Sequence, residues 1–188
     1  MKIVVTGSIY AGKTTLVNSL RGIQGIAILP ETASEFVHRD KNIVFKPDFQ
    51  DILFDEQTKR ELALQSQGQH IIVCDRGVPD IITHAKFFGQ EIKPEWEAWM
   101  KTYDYSFVVL KNDINFNPPP GMYLENYDWN SFREIMHRLT IEILTTYSVP
   151  FDFLKGDVEY RKEAMLKRIQ SLLEFREGRI NRKRVKFI

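Results

Sequence analysis

One cysteine, Cys74, stands in a chain of 188 residues, so no internal disulfide can form and the fold has to be held by its core. A thiol used so sparingly fits a reducing compartment, and Cys74 lies in an apolar run where it reads as a small buried side chain. Excess charge of either sign is lacking too: 26 Lys and Arg face 25 Asp and Glu, a net charge of +1. No global field therefore draws the chain to nucleic acid or to an anionic membrane surface. Apolar runs of membrane-spanning length are absent. The first residues read as a core strand running straight into a loop motif, not as a secretion signal. Together these absences describe an expected cytoplasmic protein. An Asn-Lys-x-Asp guanine-reading motif is also missing, which argues against a GTPase switch.

What is present is an ordinary globular composition, 43% hydrophobic and 27% charged, at a length that suits one domain with a proper core. Strand-like apolar runs at Lys2–Thr6, Gly25–Leu29, His70–Cys74, Tyr105–Leu110 and Pro150–Leu154 alternate with helical patterns at Lys13–Arg21, Thr32–His38, Asp48–Gln67, Pro79–Phe88, Asp128–Tyr147 and Val158–Glu174. The helix pattern over Phe132, Ile135, Met136, Leu139, Ile143, Leu144 and Tyr147 gives one clean apolar face. Near-continuous apolar strands separated by helices predict an α/β fold: a five-stranded parallel sheet covered by helices on both faces.

The most specific feature is Gly7-Ser-Ile-Tyr-Ala-Gly12-Lys13-Thr14-Thr15, a G-x-x-x-x-G-K-[ST] phosphate loop between a predicted strand and a predicted helix. Consecutive backbone N–H groups from Gly7, Ser8, Ala11, Gly12 and on through Thr15, with the first turn of the helix, form a cradle for anionic oxygens. Gly7 and Gly12 permit backbone angles and close approaches that a Cβ would block. Lys13 reaches the β- and γ-phosphates, and the Thr14 hydroxyl is placed for Mg²⁺. The chain is thus expected to bind a nucleoside triphosphate in a P-loop NTPase fold.

Two further segments carry candidate chemistry. His70-Ile-Ile-Val-Cys-Asp75-Arg76-Gly77 is an apolar strand ending in an acid. In phosphate-loop proteins such an acid holds Mg²⁺ directly or through water, so Asp75 joins Thr14 as a metal candidate. The Arg76 guanidinium can pair with phosphate in fork geometry. Glu31, in Pro30-Glu31-Thr-Ala-Ser-Glu35, falls at the carboxyl end of the second strand, where open α/β sheets bind ligands. It can accept a proton or a hydrogen bond from an attacking hydroxyl, and Glu35 lies one helical turn further on. Gln57, Arg60 and Glu61 either line a substrate cleft or form a solvated, ion-paired helix face. Trp96, Trp99, Tyr103, Phe116, Tyr123, Tyr127 and Trp129 include both packing residues and candidates for stacking on a base.

These motifs, in this order, resemble a branch of the phosphate-loop kinases, the ribosylnicotinamide kinase domain of bifunctional NAD-biosynthesis regulators and the related AAA-labelled ATP-binding proteins. The resemblance rests on Gly7–Thr15, Pro30–Glu35, the Glu-Gln-x-x-x-Glu of Glu56–Glu61, Asp75-Arg76-Gly77, and a late helix with Arg133 and Arg138 followed by Pro150 and a strand. It spans about residues 1–174. It implies ATP–Mg²⁺ as the donor and transfer of the γ-phosphoryl group to a hydroxyl of a nucleoside-like small molecule. Glu31 would be the acceptor-side carboxylate and Asp75 the metal-side acid. Arg76 would lie beside the acceptor or the transferring phosphate.

One departure from that pattern is plain. Residues 112–131, a Pro-rich stretch in the position of a kinase lid, contain no Arg or Lys, although such lids ordinarily supply cations to the transferring phosphoryl group. Arg133 and Arg138 follow on the next helix. Being five residues apart they do not share one face, and Arg133 is expected to be the nearer. Residues 1–175 then read as one kinase-like domain and 176–188 as a basic, solvated tail. Beside the nucleoside kinase stand a nucleotide-gated regulatory module, favoured by the arginine-free lid, and a nucleoside monophosphate kinase, which needs extra cations near Glu31. A nucleic-acid end kinase, suggested by the tail alone, is disfavoured by the net charge.

Overall fold

The computed structural model describes residues 1–110 and 128–184, without the side chains of 179–184. Five strands, β1 (Lys2–Thr6), β2 (Ile26–Leu29), β3 (Ile71–Asp75), β4 (Tyr105–Val109) and β5 (Phe151–Leu154), form a single sheet in the order β2-β3-β1-β4-β5. Every pairing in it is parallel. The helices are α1 (Lys13–Ser19), α2 (Thr32–Arg39), α3 (Phe49–Ser66), α4 (Val78–Phe87), α5 (Pro94–Met100), α6 (Trp129–Thr146) and α7 (Val158–Arg184), with a 3-10 turn at Lys41–Phe45. The architecture is the one expected from the sequence.

The pleat sorts alternate residues of each strand into two cores. Ile3 and Val5 of β1 pack with Leu16, Val17, Leu20, Met165 and Ile169 beneath α1 and α7. Val4 packs on the other face with residues of α3, α4 and α5. The inner strands β1, β3 and β4 are buried along their whole length, whereas β2 and β5 are partly exposed, as edge strands must be. β1 is central, between β3 and β4: the chain runs from β1 past β3 to the edge strand β2, returns to β3, and then crosses over β1 to β4 on the other side. A phosphate loop after β1 therefore opens at the switch point of the sheet, above the carboxyl ends of the strands.

Among the differences from the sequence reading, three go beyond a frayed end. β3 continues one residue further and ends on Asp75, paired in register with Val5. α5 was not expected: its seven residues are too few to show a period, although Pro94 at its first turn is a helix-start signal. The segment read as a solvated tail is helical through Arg184, and Arg176 within it pairs with Asp104. Arg, Lys and Glu are good helix formers, and cations suit a helix C-terminus, so polarity alone did not end this helix. Most of the expected lid, residues 112–127, lies outside the described residues, and with it Phe116, Tyr123 and Tyr127. Asp128, at its end, caps α6 by accepting from the Ser131 N–H at 3.0 Å.

Candidate active site

Gly7 leaves β1 at φ 126°, and a Cβ built on it would come within 2.6 Å of the Val109 carbonyl oxygen. No other residue fits this approach of loop to β4. Gly12, left-handed at φ 87°, turns the chain into α1. Between them the loop folds over Lys13, which is only 5% exposed and donates from Nζ to the Ser8 carbonyl at 2.7 Å. Burial, reinforced by the Arg76 charge, pushes the Lys13 ammonium down to about 7. The Ser8 hydroxyl is buried with no hydrogen-bond partner among the described residues. A buried amine whose charge is opposed by burial and by Arg76, and an orphaned hydroxyl in the same loop, are what a phosphate would satisfy.

Asp75 faces this loop from the end of β3. It is 2% exposed, and its Oδ1 has no hydrogen-bond partner among the described residues. Burial raises its pKa against the opposing pull of the Thr14 hydroxyl beside it. An ionisable oxygen kept dry and unpaired next to a Thr hydroxyl suits Mg²⁺, a hard cation that takes few protein ligands and completes its shell with water and phosphate oxygens. The described residues hold no cluster of three or more His, Cys, Asp or Glu side chains able to cage a metal by themselves.

Arg76 comes next, at a left-handed φ of 67°, a strained conformation for a residue with a side chain. Its N–H donates to Val5 O at 3.0 Å, so the turn is pinned to β1. Its guanidinium spans the site: Nε lies 2.7 Å from Glu31 Oε1 and Nη1 lies 2.7 Å from Asp80 Oδ1. Burial works against the charge on Arg76, but the two carboxylates outweigh it and its pKa is raised. Glu31, at the N-cap of α2, accepts also from the Ser34 hydroxyl at 2.8 Å. Burial would raise its pKa, but Arg76 and Ser34 prevail and lower it, so the carboxylate stays ionised. Gly77 completes the turn where a Cβ would meet the Tyr103 hydroxyl at 2.6 Å.

Glu31, Thr14 and Asp75 border one groove of about 470 Å³ between α1 and α2. Arg133 is buried on α6, and burial lowers its pKa. It shares a stripe with Met136 and Thr140, which line a small cleft together with Gly7, Ser8 and Arg76. Arg138 is exposed and off that stripe. Thr15 is exposed at the start of α1, and Ala11 is fully buried in the loop.

Two residues of the site escaped the sequence. Asp80 is buried; it takes the Thr6 hydroxyl at 2.9 Å as well as Arg76, and its Oδ2 accepts the Gly77 N–H at 3.1 Å. An acid three residues past a helix-capping glycine was a readable signal. Arg161, on the first turns of α7 and 2% exposed, donates from Nη1 to Ala11 O at 2.8 Å and from Nη2 to Leu110 O at 3.4 Å. It ties the phosphate loop to the end of β4, and no local pattern announces it.

Gln57, Arg60 and Glu61 divide. Arg60 forms a surface ion pair with Glu35 through both Nη atoms, at 2.6 and 2.7 Å, and another with Glu56. Glu61, expected in a cleft or on a solvated face, is instead fully buried: Lys2 Nζ lies at 2.6 Å, Trp99 Nε1 and Gln57 Nε2 at 2.8 Å, and the Tyr103 hydroxyl at 2.5 Å. Gln57 passes the chain of bonds on, accepting from the Thr32 hydroxyl at 2.6 Å. Trp96 and Tyr103 are core residues.

With the geometry in view, a family model described as an AAA domain matches residues 2–161. The chain belongs to this AAA domain family. Among solved structures, this family member is similar to deoxyadenosine kinase from M. mycoides with the products dCMP and a flexible dCDP bound, at 15% identity and a TM-score of 0.64, covering 91% of this chain and 100% of that one. The same enzyme with dATP bound gives a TM-score of 0.59 at 15% identity, covering 90% and 99%. Thymidylate kinase from Ehrlichia chaffeensis gives 0.54 at 14% identity, covering 90% and 98%. No curated protein matches. At these identities the likeness establishes the fold, a P-loop kinase fold. No helix among the described residues is long and apolar enough to cross a membrane.

Proposed function

We propose that this protein transfers the γ-phosphoryl group of ATP to a hydroxyl of a nucleoside-like small molecule, ribosylnicotinamide or a nucleoside. The observation that carries the reading is the shared groove: the metal-side pair Thr14 and Asp75 and the ionised Glu31 line one cavity. Kinases of the same fold with nucleoside and nucleotide substrates agree with it. Lys13 and the loop amides hold the β- and γ-phosphates. Thr14 and Asp75 hold Mg²⁺, which when bound neutralises phosphate charge. Glu31 orients the acceptor hydroxyl. The hydroxyl oxygen forms the new bond to phosphorus as the bond from phosphorus to the bridging oxygen breaks, leaving ADP with the electron pair. The hydroxyl proton passes along the hydrogen bond to Glu31 and on to water.

A lowered pKa makes Glu31 a weak base, which suffices here, because phosphoryl transfer asks for positioning and charge stabilisation more than for deprotonation. Arg76 fixes Glu31 and sets a cation beside the transferring group. Arg133, on the buried stripe of α6, supplies the cation that 112–131 lacks. A nucleoside is favoured over a 5′-monophosphate because the latter would bring its charge against an ionised Glu31, with Arg76 already shared between two carboxylates.

The test is Mg-ATP with a panel of ribosylnicotinamide, the nucleosides and their monophosphates, read as ADP and phosphorylated product, with Lys13→Ala as the blank. One hydroxyl acceptor that drives turnover, lost in Lys13→Ala, is the expected result. ATP binding with no acceptor-dependent turnover replaces this reading by a nucleotide-gated regulatory module, the alternative that the cation-free 112–131 segment favours.

A further inference from the structure

The groove does not stop at the reacting end. Thr14, Val17, Asn18 and Arg21 line it from α1 and its exit, and Glu31, Ser34, Glu35, His38 and Arg39 line it from α2. Both sets have the spacing of a single helix face, so the two helices run beside the groove along their full lengths. Both helices start at the carboxyl edge of the sheet, so Thr14 and Glu31 mark one end, and Arg21, His38 and Arg39 mark the other. Seven residues on one wall, the last two in the turn beyond α1, and eight on the other separate the ends by about 10 Å, the length of a nucleoside.

The two ends have opposite character. The near end is acidic, with Glu31 and Asp75. The far end carries three basic side chains. Of its nearby acids, Glu35 is held in the two-pronged pair with Arg60, although the Arg39 charge acts on it as well, and Asp40 pairs with Lys46 at 3.5 Å. Arg21 uses its Nε on Asn18 Oδ1 at 2.8 Å, which leaves the forked end of the guanidinium available to an anion. Basic residues are at home at helix C-termini in any protein. Here, in addition, residues from two different helices converge on one cavity that already holds the reacting groups.

We infer that the acceptor is bipolar: a molecule with its reacting hydroxyl at Glu31 and an anionic group, carboxylate or phosphate, about 10 Å away between Arg21 and Arg39. This rests on the phosphoryl-transfer reading for its direction. It differs from a nucleoside 5′-monophosphate, whose anion would lie at the reacting end. The extra cations that an anionic acceptor needs were sought near Glu31; in the structure they lie at the far end of the groove.

The test uses the full chain with a non-hydrolysable ATP analogue and Mg²⁺, and titrates matched acceptors by calorimetry. Ribosylnicotinamide is compared with the riboside whose carboxamide is replaced by carboxylate, and adenosine with adenosine 3′-monophosphate. The two pairs separate a carboxylate seat from a phosphate seat. At least one member bearing the carboxylate or phosphate should bind about tenfold tighter than its twin without that group. The double variant Arg21→Gln, Arg39→Gln should abolish the difference while the affinity for Mg-ATP stays unchanged. Equal affinity within both pairs, a preference that survives the double variant, or no binding by any of the four overturns the inference. A preference with no phosphorylated product when ATP replaces the analogue keeps the anion seat and removes the kinase reading.

Discussion

Two buried clusters of charge lie on this sheet, and they are built to opposite rules. Around Glu61 every requirement is met: Lys2 pairs with it, Gln57, Trp99 and Tyr103 donate to it, and the Lys2 ammonium sits over the Trp99 and Tyr103 rings at 4.5 and 4.3 Å. Around Lys13 requirements are left open. Asp75 keeps an unpaired oxygen, Ser8 an unpaired hydroxyl, Arg76 a strained backbone, and Lys13 a depressed pKa. Buried ions are tolerated when paired and solvated by fixed donors, as at Glu61. Where the protein withholds that compensation, a ligand is expected to bring it. Degree of satisfaction, not burial or charge, separates a structural cluster from a binding site.

The comparison breaks most sharply through Glu61→Leu. Lys2 is then left buried and unpaired, a loss of about 3–5 kcal/mol. The unfolding midpoint should fall by roughly 10 °C for a chain of this size, while the protein that remains folded keeps its nucleotide affinity. A midpoint within a degree or two of the parent would show that the cluster is not structural.

Lys13→Met is the mirror experiment. Nucleotide affinity should fall about 100-fold, the scale of a lost charge-assisted phosphate contact, yet the ligand-free protein should become more stable. A lower melting temperature in a scan without nucleotide would contradict the proposed frustration of this site.

Arg161→Lys sharpens the comparison within the site itself. A lysine keeps the charge but cannot bond Ala11 O and Leu110 O together in fork geometry. Loosening the loop should raise KM for ATP about tenfold, with kcat and acceptor KM little changed. An equal fall in kcat at unchanged KM would mean that Arg161 does not act by holding the phosphate loop.

The smallest effect is read in protons. The Lys13 pKa is lowered from 10.5 to about 7, so between those values the native state holds fewer protons than the unfolded chain. Stability from this group therefore rises with pH across that window. The advantage of Lys13→Met is complete below about pH 7 and disappears as pH approaches 10.5. A bound triphosphate restores the charge on Lys13, so binding at pH 8 should be accompanied by net proton uptake. Calorimetry in two buffers of different ionisation enthalpy measures it, and zero uptake would reject the shift.

What the sequence disclosed tracks how far apart the interacting residues lie. Lys13 and Ser8 are five positions apart, so the loop's logic was legible in one motif. The sheet was legible because each strand carries its own apolar run. Asp80 meets Thr6 across 74 positions and Arg161 meets Ala11 across 150, and one sequence holds no record of such pairings. Glu61 was hidden by its neighbours: Glu56, Lys59 and Arg60 make its helix look solvated. The trace it left was Lys2, a lysine in a strand whose other positions are core. The cationic end of the groove was unreadable for the same reason, since Arg21 and Arg39 become neighbours of one cavity only after α1 and α2 are set side by side.

Arg161 also imposes an order on time. The loop motif leaves the ribosome 150 residues before Arg161, but β1 has to wait for β3 and β4 as neighbours, and the Arg161 tether arrives with α7. During synthesis at about 5–20 residues per second, the growing chain carries the phosphate-binding sequence for several seconds before it carries the phosphate-binding shape. Capture of nucleotide therefore marks a chain whose remote parts have already met.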